Sequence, residues 1–92
     1  MDETLRNNVA RRLASASGHL KGIERMVAED AYCIDIIRQI KAVQGALTKA
    51  SSLILENHLR TCVAAAIRDD NPELRERMLE EVTGVISLKN IP

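Results

Sequence analysis

From Asp30 to Ile67 the chain runs without a proline and with a single glycine, Gly45. Apolar residues return along it at Ile37, Ile40, Val43, Leu47, Ile54, Val63 and Ile67, the period of one helix face. The stretch predicts one helix roughly 55 Å long, more than a small domain can use by itself. Asp30 reads as its N-cap.

That helix must find its packing partners in a chain of 92 residues with no Phe or Trp and one Tyr. Core volume has to come from Leu, Ile, Val, Met and Ala, and so thin a core gains by oligomerising. A first helix is predicted over about 4–27, with Leu5, Val9, Leu13, Ala16, Leu20, Ile23 and Val27 on a core-facing stripe. The long helix takes about 31–67. A turn at Asp69-Asp70 leads to Asn71 as N-cap and Pro72 in the first turn of a third helix, about 72–86, before a loose tail from Ser87. Gly18 lies in the small-residue run that starts at Ala14; mid-helix it costs about 1 kcal/mol against Ala, which predicts close packing or close approach there. The expectation is all-α: one domain, 1–92, of three helices with one very long central helix.

No apolar run at the N-terminus resembles a signal peptide, and no stretch approaches transmembrane length, so a cytoplasmic protein without membrane contact is expected. Two cysteines in a reducing compartment point to metal binding or thiol chemistry rather than a structural disulfide. Formal charge is zero overall but unevenly spread. Arg6, Arg11, Arg12, Lys21 and Arg25 face only Glu24 between residues 6 and 25, whereas the part after Ile67 is acidic. Oligomerisation multiplies such patches, although a basic helix face is as readily a solvated one.

Cys33, His58 and Cys62 carry the candidate chemistry. On a straight helix they fall within an arc of about 40°, but Cys33 lies roughly 37 Å along the axis from His58. An antiparallel second copy, related by a two-fold axis near Ala46 and Leu47, resolves this: Cys33 of one chain then faces His58 and Cys62 of the other, and the sites come in pairs. Ile37, Ile40, Gln44, Leu47, Ser51 and Ile54 share the contact face. Two thiolates and an imidazole suit Cu(I) or Zn(II); three donors fit trigonal Cu(I) better than the tetrahedron of structural zinc. The same residues also read as small buried hydrophobes and an interface imidazole. No nucleophile, base and oxyanion set is present, so no enzyme and no small-molecule substrate are expected.

Tyr32-Cys33, the run Asn57-His58-Leu59-Arg60-Thr61-Cys62, Arg12-Leu13, the run Gly18-His19-Leu20-Lys21-Gly22-Ile23 and the run Gln39-Ile40-Lys41-Ala42-Val43-Gln44 resemble the copper-sensitive operon repressor family, over about Leu5 to Ile86. The resemblance implies an all-helical repressor, an antiparallel homodimer assembling as a dimer of dimers into a homotetramer. Cu(I) held between subunits by Cys33, His58 and Cys62 would lower affinity for operator DNA and derepress copper-resistance genes. It also implies two supporting positions, Tyr32 and Glu81, either of which would hold the far nitrogen of His58 once metal fixes the ring.

The resemblance gives no helix-turn-helix, so DNA binding would rest on cations spread over one face. Arg12 and Lys49 match its basic positions, with Arg11, Lys21, Arg25 and Lys41 in support. Ala14, Ser17 and Ser52 stand where relatives carry Arg or Lys, and His19 where a Gln is frequent; His19 would read DNA or make affinity depend on pH. Two alternatives stay open: a thiol- or persulfide-sensing repressor of the same fold, in which Cys33 and Cys62 bridge subunits, and a metal-binding helical oligomer that has lost strong DNA binding.

Overall fold

The computed structural model describes residues 1–68 and 71–88, and helix is the only regular structure among them. The expected turn at Asp69-Asp70, residues 89–92 of the expected tail and the side chains of Val63, Ser87 and Leu88 lie outside the described residues, while the backbone of Ser87 and Leu88, expected in the tail, is helical. The chain forms two compact units, Met1–Leu55 and Glu56–Pro92.

In the first unit, α1 spans Glu3–Ala28. Asp2 caps it, its Oδ1 accepting from the Leu5 amide at 2.7 Å, and Glu3 and Arg25 lie at the ends where the helix dipole favours their charges. Val9, Ala16 and Ile23, one every seven residues, are buried. Leu13, Leu20 and Val27, expected on the same core stripe, are 45%, 45% and 59% exposed. Each sits four residues beyond a buried one, about 40° further round the helix, which moves it from the seam to the flank.

The end of α1 corrects the reading of Asp30. Its φ is 55°, the left-handed conformation, and two bonds close around it: Ala31 N–H to Met26 carbonyl at 2.9 Å and Asp30 N–H to Val27 carbonyl at 3.1 Å. That is the Schellman pattern of a helix C-terminus. Asp30 therefore ends the first helix instead of capping the second. The cap place of α2, Cys33–His58, falls to Tyr32, whose carbonyl accepts from Asp35 and Ile36 at 3.0 and 3.2 Å.

The first unit is an antiparallel hairpin of α1 and α2. His19 Nε2 lies 2.7 Å from Gln39 Oε1, and Ala46 borders the same hollow as Arg12 and Ala16. Val43 and Ala50, again seven apart, are buried on the α2 side. With no aromatic in the seam, small and β-branched residues let the helices approach closely. Gly18 is not part of that approach: a Cβ added there would meet nothing within 4 Å.

The second unit begins with the end of α2. Helical backbone continues through a π-helical turn, Leu59–Val63, into α3, Ala64–Arg68; the Ala64 amide reaches back five residues to the Leu59 carbonyl. The expected uniform α-helix is thus widened by one turn. Ala66 is buried, and α4, Pro72–Leu88, packs against α3 and the π turn. Asn71 caps α4, its Oδ1 accepting from Glu73 and Leu74 at 3.1 and 3.2 Å, and Pro72 is its first residue. The chain is all-α in three helical runs: α1, α2 with its π and α3 continuation, and α4. Among the described residues no helix is long and apolar enough to cross a membrane.

Candidate metal centre and nucleic-acid face

Cys33 is the first residue of α2 and an exposed free thiol. Tyr32 precedes it, 66% exposed. His58 is the last residue of α2 and half-buried; Cys62 sits inside the π turn, exposed and also free.

The π turn gives Cys62 a defined neighbour. Thr61 Oγ1 donates to the Asn57 carbonyl at 2.8 Å and lies 3.6 Å from Cys62 Sγ. One hydroxyl proton cannot serve both, and the shorter oxygen contact takes it. The sulfur keeps its lone pairs for another partner. Arg60 pairs with Glu56 at 2.7 Å, both exposed, an i,i+4 bond worth a few tenths of a kcal/mol. Glu81 is an exposed residue of α4; among the described residues of one chain it makes no hydrogen bond with His58. Nor do three His, Cys, Asp or Glu side chains come together in a single chain to hold a metal, among the described residues. The donors themselves, two free thiols and an imidazole, are chemically suited to a soft cation.

The basic candidates gather in the first unit. Arg11, Arg12, Lys21 and Arg25 on α1, and Lys41 and Lys49 on α2, are all exposed. Antiparallel packing joins two stretches without a single Asp or Glu, 4–23 and 36–55. Between them they also hold Arg6, counted above in the basic run but not among the DNA candidates, and Arg38, which the sequence reading passed over although the gap in acidic residues marks it. Arg38 reaches Asp35, just outside the gap, at a loose 3.7 Å. Arg12 Nε is held by Asn8 Oδ1 at 2.8 Å, and Arg12, Ser15, Ala16, His19 and Ala46 line a hollow of about 170 Å³ between the helices. Of the positions where cations were expected and absent, Ala14 and Ser17 are exposed and Ser52 half-buried.

Comparison with known proteins places these features in a family. Residues 5–87 match the metal-sensitive transcriptional repressor family. The chain is 52% identical over 58 residues to the copper-sensing transcriptional repressor CsoR of Mycobacterium ulcerans, covering 63% of this chain and 50% of that protein. It is 36% identical over 83 residues to the copper-sensing transcriptional repressor RicR of Mycobacterium tuberculosis, covering 90% of this chain and 86% of the relative. A crystal structure of the copper-sensing repressor CsoR with Cu(I) from Geobacillus thermodenitrificans superposes with a TM-score of 0.86 at 35% identity, covering 99% of this chain and 92% of that one. The match to the mycobacterial CsoR proteins spans about half of their length. The chain belongs to the metal-sensitive transcriptional repressor family, a family of repressors and not of enzymes.

Proposed function

We propose that this chain is a Cu(I)-responsive transcriptional repressor that works in the cytoplasm as one all-helical domain, assembled from antiparallel dimers into a homotetramer. Operator affinity is high in the empty form and falls when the metal site fills, releasing copper-resistance genes. Support comes from the relatives, named as copper-sensing repressors, one with Cu(I) bound, and from the soft donor set of Cys33, His58 and Cys62.

The observation that carries the reading is a second apolar stripe. Ile40, Leu47 and Ile54 on α2 recur every seven residues and are 40%, 42% and 38% exposed, and Leu13, Leu20 and Val27 on α1, also seven apart, are exposed too. In an antiparallel hairpin equivalent heptad positions lie on the same flank, so both stripes form one apolar side. A second hairpin is the natural cover for it. The α2 stripe is symmetric about Leu47. A two-fold axis at that residue puts Cys33 of one copy opposite position 61 of the other, between the partner's His58 and the partner's Cys62.

Cys33 with the partner's His58 and the partner's Cys62 are the residues that would hold Cu(I). The bound ion would supply a soft cross-link between copies. With the ion held, the far nitrogen of His58 would be available to Glu81 or Tyr32, which would tie occupancy to α4 or to the start of α2. Arg12 and Lys49, with Arg11, Lys21, Arg25 and Lys41, hold the DNA backbone.

The test is a mobility shift of the chain's own promoter fragment. Full-length protein should retard it in low salt, and anaerobic Cu(I) should release it at one equivalent per chain. Retardation unaffected by Cu(I), or ready displacement of Cu(I) by Zn(II), would contradict the copper reading. The thiol-sensing alternative draws on one observation, the exposure of both cysteines. It gives His58 no role, so a His58→Ala variant with an unchanged response would favour it.

A further inference from the structure

Arg60, Thr61 and Cys62, consecutive in the π turn, are held in different ways. Arg60 is tied one turn back to Glu56 at 2.7 Å. The Thr61 hydroxyl donates one turn back to the Asn57 carbonyl at 2.8 Å. Cys62 follows as an exposed free thiol, its sulfur 3.6 Å from the Thr61 oxygen. The two ties are unequal. The ion pair joins the ends of two exposed side chains, where water and salt screen it. The hydroxyl stands one carbon from the backbone on a β-branched side chain with restricted χ1, so its bond fixes the main chain itself. A hydroxyl bonded to the carbonyl four residues back competes with the regular ladder and bends a helix. Here that bond lies where the Ala64 amide reaches past its usual partner to the Leu59 carbonyl.

The π turn decides where the second sulfur points. In a regular α-helix four residues overshoot a full turn by about 40°, which would carry Cys62 past His58. A turn closed five residues back takes more than four residues to complete, so Cys62 stops short of His58 instead. Resting on the reading of both residues as Cu(I) ligands, we infer that Thr61 is a positioning residue for the metal centre: its hydroxyl, fixed on the Asn57 carbonyl, holds the π turn and so sets the direction of Cys62 Sγ relative to His58. Because its proton goes to the carbonyl, the same hydroxyl takes no lone pair from the sulfur.

Thr61→Val keeps the branched shape and removes the donor, Thr61→Ser keeps the donor, and Arg60→Gln removes only the ion pair. In the full-length protein Thr61→Val should bind Cu(I) about fivefold more weakly, the worth of one hydrogen bond, in competition with a chromogenic Cu(I) chelator. Thr61→Ser and Arg60→Gln should stay within about twofold of wild type. A metal-free readout follows the aim of the sulfur itself. Diamide oxidation should cross-link Cys33 to the partner's Cys62 about fivefold more slowly in Thr61→Val, and at the wild-type rate in Thr61→Ser. Helicity and melting temperature should match wild type in all three, and Thr61→Ala, which cannot strain the turn, should repeat both losses of Thr61→Val. Wild-type affinity and wild-type cross-linking in Thr61→Val would overturn the role of Thr61, and so would equal losses in Thr61→Ser. Cu(I) binding unchanged by Cys62→Ala would instead sink the copper reading, and the cross-linking rates would then decide on Thr61 alone.

Discussion

Asp30 holds φ at 55°, a conformation that costs an L-residue about 1–2 kcal/mol and that Asp and Asn tolerate best after Gly. The two capping bonds around it make the helix end worth that strain. Asp30→Gly should therefore raise stability by about 1 kcal/mol, and Asp30→Val should lower it by at least as much, as read by thermal denaturation. Gly18 offers the complementary case. With open space around it, Gly18→Ala should stabilise the chain by about 1 kcal/mol; a loss of assembly or DNA binding would instead mark a close approach by another copy or by the duplex. Asn71→Ala should cost about 1 kcal/mol by leaving the Glu73 and Leu74 amides uncapped. Asn71 and Pro72 were legible because their preferences at a helix start have no competitor. Asp30 misled because the same short acid serves equally as an N-cap and as a left-handed terminator, and only the tertiary turn decides between them.

The heptad stripes of α1 and α2 were half legible for a related reason. Periodicity marks Val9 and Leu13 alike as apolar, but which of two stripes 40° apart meets the neighbouring helix depends on the register that His19 and Gln39 report. The π turn at Leu59–Val63 left no trace in the pattern, since one widened turn shifts later residues by less than the breadth of an apolar face. Its position, directly after His58 and containing Cys62, fits the tendency of π bulges to occur at functional sites. Deleting Arg60 should return the segment to α-helix with circular dichroism unchanged, while Cu(I) affinity falls on the order of tenfold because the second thiol is re-aimed. Undiminished affinity would mean that the wide turn serves packing alone. The candidate donors needed only residue type and spacing to be noticed, whereas the hollow required both helices in place.

Charge and apolar surface are segregated across the molecule. The hairpin of Met1–Leu55 carries eight Lys and Arg against six Asp and Glu, residues 56–92 five against seven, and one flank of the hairpin is apolar. Leu47→Glu should oppose two carboxylates across the two-fold axis, shift the assembly toward monomer in sedimentation experiments, and weaken Cu(I) binding in step, since each site needs two copies. Unaltered assembly would show that another face joins the copies. The most direct measurement mixes two inactive chains, Cys33→Ala and Cys62→Ala, after unfolding and refolding together. Each homodimer lacks a ligand in both sites. The mixed dimer pairs the Cys33 of one variant with the intact His58 and Cys62 of the other, so it should regain one tight Cu(I) per heterodimer. A mixture that binds no more Cu(I) than the two variants apart would show that the ligands are not shared between antiparallel copies.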